Sequence, residues 1–374
     1  MSPTTQLEGD AACASDRSVT PDDAGRRRRS LGSARWLLVA LVTLALVLAA
    51  CGGGGGGGST SAGGKKTSKV TLGVQTTVLQ TYYAQLAEKL GYFKQEGLDV
   101  KVIVGEDPAA SVQALIGGSL DMFLGGPEAL PAAAKGADIR FIAAGSNRSL
   151  WDIVTTKDVR SVKDLKGKAF AVSSLASAST ATVKQALQAQ GVNPDDVKYV
   201  PAGGTKNRFT ALEQGRVKGA ALGIPVNYKA AESGKFNDFG GTDTTLRAPP
   251  IAATELTTTK KWADANKDVL QRFLRAYQRV INALYDPSMT QKIVAAASSD
   301  LGVDPKYTER AIKTLFLDPS TGGKVLPKDG QIDLKALQNL ADAYTSFKLL
   351  PSKVDVSKYV DMSYLKAAQA SLKG

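Results

Sequence analysis

The 374-residue chain contains no histidine, and its only two cysteines are Cys13 and Cys51. Histidine is the usual general base near neutral pH and the commonest metal ligand. Its absence removes the Ser-His and Cys-His nucleophile systems and most zinc sites. Carboxylate and lysine chemistry stay open, but the composition offers no catalytic constellation, no metal site and no cofactor motif. A long apolar run is also lacking. The strongly apolar stretch from Trp36 to Ala50 is fifteen residues, with Thr43 its only polar member. As a helix it would cover roughly 22 Å at about 1.5 Å per residue, short of the ~30 Å hydrocarbon core. A permanent membrane span is therefore the weaker reading of it.

What is present is ordinary for a globular protein with two cores: 43% hydrophobic and 22% charged residues. The formal charge of +12 suits nucleic acid, an anionic membrane surface or an anionic ligand. Lysines after Lys65 are scattered without an aromatic-spaced basic stripe, which favours a solvated basic surface over nucleic acid. The N-terminus is an address: a basic run at Arg26 to Arg29, the apolar run, then Leu48-Ala49-Ala50-Cys51. Residues 1–50 read as a signal peptide, so nucleic acid is not an expected partner. The small residues before Cys51 resemble the lipobox of bacterial lipoproteins. That resemblance implies a diacylated Cys51 as first residue of the mature chain, on the outer face of the cytoplasmic membrane. Cleavage near Ala50 with a free thiol at Cys51 is the alternative. Arg28-Arg29-Ser30-Leu31 loosely suggests twin-arginine export, and initiation near Val19 would account for the polar residues 1–25. With Cys51 lipidated, no intramolecular disulfide is available. Residues 51–69, opening with seven glycines at Gly52 to Gly58, read as a tether with a coil-like reach of roughly 23 Å.

From Val70 onward short β-branched runs alternate with helical stripes. Expected strands are Val70–Val74, Leu98–Val104, Leu120–Leu124, Ile139–Ala144, Ile153–Thr156, Ala169–Val172, Val197–Val200 and Gly219–Gly223. Expected helices are Tyr82–Phe93, Pro108–Ile116, Pro127–Lys135, Ser179–Gln190, Thr205–Gln214 and Val226–Glu232. Such alternation predicts an α/β protein with mostly parallel sheets covered on both faces. After Ile251–Thr257, a returning strand, the chain is mainly helical. The domain pattern is therefore a first lobe over 70–156, a second over 157–247, and a return to the first over 248–374.

Several segments resemble the solute-binding family that includes nitrate-, taurine-, aliphatic-sulfonate- and thiamine-precursor-binding proteins. They are Lys89-Leu90-Gly91-Tyr92-Phe93-Lys94-Gln95-Glu96-Gly97-Leu98-Asp99-Val100, Ala114-Leu115-Ile116-Gly117-Gly118-Ser119-Leu120-Asp121, Asp164-Leu165-Lys166-Gly167-Lys168 and Ala211-Leu212-Glu213-Gln214-Gly215-Arg216-Val217. The resemblance implies the two-lobed periplasmic-binding-protein fold, no catalysis, and a monomer that hands a small molecule to an ABC permease. It also places the ligand in the cleft at the C-terminal ends of both sheets, as open α/β sheets generally do. Four loops lie there. The first holds Gln75 and Thr76. The second holds Gly125, Gly126 and Glu128; Glu128 would accept from an amine or amidine, or serve as a first-turn acid favoured by the helix dipole. The third holds Ser174, Ser177, Ser179 and Thr180, which would bind an anion at a helix start or, alternatively, cap that helix. The fourth holds Pro225 and Asn227. Asn147 and Trp151 fall near the first crossing, where Trp151 would stack on a planar ligand or pack the hinge. The expected ligand is small, polar and anionic, of the sulfonate, nitrate or carboxylate class; an aminopyrimidine or aromatic compound, or a same-fold biosynthetic enzyme, is the alternative. The chain departs from sulfonate binders, which tend to carry a histidine where Thr180 stands and an aromatic-acid-proline segment at Gly223-Ile224-Pro225.

Overall fold

The computed structural model describes residues 67–75, 78–105, 107–239, 250–321 and 323–372. The expected signal peptide, the lipidation site Cys51 and the tether through Lys66 lie outside them, as does Thr76. Among the described residues no helix is long and apolar enough to cross a membrane.

The first part of the chain runs β1 (Ser68–Val74), α1 (Tyr83–Lys89), α2 (Tyr92–Gln95), β2 (Leu98–Val104), α3 (Pro108–Ile116), β3 (Met122–Leu124), α4 (Leu130–Ala134) and β4 (Ile139–Ser146). The middle runs β5 (Trp151–Thr156), β6 (Ala169–Val172), α5 (Ala178–Ala189), β7 (Lys198–Pro201), α6 (Thr205–Glu213), β8 (Gly219–Gly223), α7 (Val226–Glu232) and β9 (Phe236–Asp238). Then come β10 (Thr254–Thr259), α8 (Lys260–Ala265), α9 (Lys267–Leu284), α10 (Thr290–Leu301), α11 (Pro305–Ile312), α12 (Leu334–Ser346) and α13 (Ser363–Ala370).

Two five-stranded sheets result, in the orders β2-β1-β3-β10-β4 and β7-β6-β8-β5-β9. Within each, one strand opposes its neighbours: β10 is antiparallel to β3 and β4, and β5 to β8 and β9. These are the strands that follow the two crossings between lobes. The first crossing comes earlier than the sequence pattern suggested. Because Trp151 pairs with Gly223 and Thr155 with Gly219, β5 belongs to the second sheet and not to a first lobe ending at residue 156.

Strand alternation builds each lobe. On β6, Phe170 and Val172 join Ala181 and Leu187 of α5 in one core, while Ala171 between them faces Phe209 and Leu212 of α6 in another. In α9, Leu270, Phe273, Leu274, Tyr277, Ile281 and Leu284 are buried at helical spacing, so one stripe of an 18-residue helix faces the first sheet. The expected Tyr82–Phe93 helix is broken, since Gly91 has φ 75, a left-handed conformation that ends α1 and starts α2. The expected Pro127–Lys135 helix begins as a 3₁₀ turn over Gly126–Ala129 and becomes α4 only at Leu130. Pro131 has no N–H to donate back to Pro127, so the α-type bond at that point is lacking.

The tail is not confined to the first lobe. Lys306 and Arg310 of α11 reach Glu232 of α7 at 3.1 and 3.0 Å. The Lys206 ammonium, on α6, donates to the Asp300 carbonyl at 2.6 Å. On the other side of α10, the Tyr82 hydroxyl donates to the Asp300 carboxylate at 2.6 Å.

Candidate functional site

The C-terminal ends of the parallel strands meet across the seam between the lobes. Leu79 N–H, just after β1, donates to the Ile224 carbonyl beyond β8 at 3.2 Å. A Cβ built on Gly223 would lie 3.2 Å from Val78 Cγ1 and 3.4 Å from Trp151 Nε1. The bare glycine is what lets the backbone beyond β8 approach that closely. Gly125 has a different reason: a Cβ there would fall 2.3 Å from the Phe123 ring, which is fully buried.

At the centre of the seam stands Glu128. Its Oε1 accepts from the Gln75 side-chain amide at 2.9 Å and from the Ala178 N–H at 3.2 Å. The first donor belongs to lobe 1 and the second to the N-terminus of α5 in lobe 2. Its Oε2 is enclosed and receives no hydrogen bond from the protein. Burial pushes the Glu128 carboxyl up to about 7, against the lowering effect of its backbone and Gln75 donors.

This geometry changes the reading of the serine loop. The helix start expected to hold an external anion already donates to a carboxylate of the chain itself. The hydroxyls are also spent locally. Ser177 caps α5 by accepting from Thr180 N–H at 3.3 Å, and its Oγ lies 3.0 Å from the Ser174 carbonyl. Thr180 Oγ1 donates to the Ser174 carbonyl at 2.6 Å, and Ser179 Oγ lies 2.9 Å from both Ser173 Oγ and Ser177 Oγ. The capping alternative accounts for these contacts. Ser177→Ala is accordingly expected to cost about 1 to 2 kcal/mol of stability through the lost cap, with ligand affinity unchanged. An affinity drop of tenfold with an unchanged melting point would return Ser177 to the ligand.

Two further expected contacts are used elsewhere. Asn147 donates its amide to the Gln331 carbonyl at 3.1 Å and accepts from Asp333 N–H at 3.0 Å, bracing the segment before α12. Asn227 donates to Asp152 at 2.6 Å. Pro225 precedes α7 as its N-cap residue. Trp151, 5% exposed, keeps an indole N–H with no protein acceptor.

The pattern missed an important residue. Glu255, on β10, is fully buried, and neither carboxylate oxygen has a hydrogen-bond partner. Burial raises its carboxyl well above the usual range, and the Glu128 charge adds to the effect. The Tyr344 hydroxyl on α12 is buried and unpartnered; burial first, then both carboxylates, hold its proton on. Tyr83 on α1 and Gln80 before it are likewise buried with unpartnered polar atoms. The available signal was a lone acid inside Ile251–Thr257, a strand otherwise apolar or threonine. Among the described residues no group of three His, Cys, Asp or Glu side chains is arranged to hold a metal ion.

Solved structures share this architecture. The alkanesulfonate-binding protein SsuA from Xanthomonas axonopodis pv. citri, bound to MOPS, superposes with TM-score 0.63 at 19% identity, covering 79% of this chain and 99% of that one. The nitrate-binding protein NrtA from Synechocystis PCC 6803 gives 0.67 at 13% identity, covering 83% and 90%. The desulfurization enzyme DSZB gives 0.57 at 13% identity, covering 81% and 99%. No curated protein matches the chain in sequence. These likenesses establish a two-lobed periplasmic-binding-protein fold. A family model described as NMT1/THI5 like matches residues 77–303, more than half of the sequence, and the chain therefore belongs to the NMT1/THI5-like family.

Proposed function

We propose that the protein is the extracytoplasmic solute-binding component of an ABC-type importer, which encloses a small molecule between its lobes and presents it to a membrane permease. The observation that carries this reading is the meeting of strand-end loops from both sheets around buried polar atoms that no protein group satisfies. Buried polar groups in native proteins are normally hydrogen-bonded, so a cluster of exceptions at a seam marks where something else bonds. The names of the sulfonate- and nitrate-binding structures of like fold support a receptor. DSZB shows that the fold also carries an enzyme. The receptor reading is preferred because the sequence holds no histidine for acid–base work. A lipid at Cys51, followed by the glycine tether, would keep a monomeric receptor beside its permease on the outer face of the membrane.

Closure is the testable core. Labels at Asp99→Cys on β2 and Lys198→Cys on β7, both exposed positions, report the distance between lobes. With Cys51 blocked, a fractionated small-molecule extract should contain a solute that shortens this distance and is recovered chemically unchanged. A constant distance across all fractions, or steady conversion of the solute, would sink the receptor.

A further inference from the structure

The receptor reading does not say what is received, and the serine loop already gives its Ala178 N–H to Glu128 and its Thr180 N–H to Ser177. The unsatisfied groups on the lobe 1 side point the other way. Glu255 is fully buried with both oxygens unpartnered, and Glu128 Oε2 is enclosed and unpartnered. They belong to neighbouring elements: the Gly125 N–H, at the start of the turn that carries Glu128, donates to the Glu255 carbonyl at 3.2 Å. The Tyr344 hydroxyl is within electrostatic reach of both carboxylates. The buried cation on the lobe 2 side, Arg208, gives its Nη2 to Thr205 Oγ1 at 2.8 Å.

We infer that the interlobe site takes a small organic cation, an amidine, guanidine or primary amine, whose N–H groups are shared between Glu128 Oε2 and the Glu255 carboxylate. The inference deepens the receptor reading and rests on it. Its physical basis is the cost of burying an unpaired carboxylate, which is several kcal/mol unless a proton or a cation compensates it. Burial favours the protonated form of both groups when no cation is present. A planar amidinium does better, because its N–H groups can donate to two acceptors at once in charge-assisted hydrogen bonds. A sulfonate or nitrate would face like charge wherever either carboxyl is ionised, and to reach the Ala178 N–H it would have to displace Glu128 from the start of α5.

The test uses the full chain purified in detergent and calorimetric titration with six probes: benzamidine, benzylamine, guanidinium, benzamide, benzoate and benzenesulfonate. Benzamide is the neutral isostere of benzamidine, so the pair isolates charge. At least one cation should bind tenfold or more tighter than benzamide, and neither anion should bind. Glu255→Gln should weaken that cation tenfold or more while leaving the melting point equal or higher, since it removes a buried ionisable group without changing shape. Failure of all three cations to exceed benzamide overturns the inference, as does unchanged cation affinity in Glu255→Gln. Tight binding of benzenesulfonate or benzoate with lobe closure overturns the cation and leaves the receptor standing. Failure of the receptor itself is read separately, from the interlobe distance.

Discussion

Between pH 5 and pH 8 the protein is expected to lose stability, and Asp152→Asn is expected to make that loss shallower. Asp152 lies on β5, 1% exposed, with Oδ2 accepting from Asn227 and Oδ1 without a partner. Burial, reinforced by Asp238, pushes its carboxyl from 3.8 up to about 8. In that window the folded chain holds a proton that the unfolded chain has released. Through Asp152 alone, stability therefore falls with rising pH at about 1.4 kcal/mol per unit, about 4 kcal/mol across that window. The Asp152 contribution levels off above pH 8, while Glu255, held up by burial and by Glu128, acts in the same direction. Glu128, raised from 4.5 to about 7, acts in the same direction over a narrower range. Asp158 works oppositely but lower: held down to about 2 by Lys218 and Thr156, it costs stability only as the pH falls below 4. Asparagine at 152 keeps an acceptor for Asn227 and cannot ionise. Urea midpoints at pH 5 and pH 8 check this; a flat wild-type profile, or a variant profile parallel to it, rules the account out.

Phe273→Ala should cost about 3 to 5 kcal/mol, the range for deleting a buried ring when the site collapses only in part. Phe273 is fully buried on α9. Its ring stacks on Phe93 at 5.1 Å and lies 6.5 Å from Tyr277. Tyr277 in turn meets the Tyr83 ring edge-on at 6.1 Å and donates its hydroxyl to the Ala144 carbonyl at 2.8 Å. Removing Phe273 thus withdraws support from Tyr83 and from Tyr277, which lies within electrostatic reach of Glu255. Chemical denaturation should show the loss as a lowered midpoint with an unchanged slope, and solute affinity should fall with it. A midpoint shift worth less than 1 kcal/mol would mean that the four rings are not mechanically continuous.

Most of the frame was legible because it rests on period and punctuation. Pro108–Ile116, Ala169–Val172 and Gly219–Gly223 are found as the pattern predicts, since a capping Asp107, flanking glycines and β-branched or small apolar runs agree there. The errors are local. Gly91 divides a helix whose apolar stripe runs straight through it, because backbone conformation at one residue outweighs a pattern spread over twelve. Trp151 was assigned to the wrong side of a crossing because a strand's sequence does not name the sheet it will join; its partner Gly223 is 72 residues away. The contacts of the loop residues were less legible than the placement of the loops. The four loops come together as strand topology requires, yet the serines turned inward on one another and on their helix. The acids that shape the seam come from β10 and from a 3₁₀ turn, brought together by tertiary contact over more than a hundred residues.

Glu128 touches both halves of the molecule, accepting from Gln75 on one side and Ala178 on the other. If the protein is the receptor proposed above, one side chain thus latches its lobes before any solute arrives. Discrimination would then lie in that latch: a solute that bonds Glu128 Oε2 leaves the Ala178 contact closed, while one that needs the Ala178 amide has to open it.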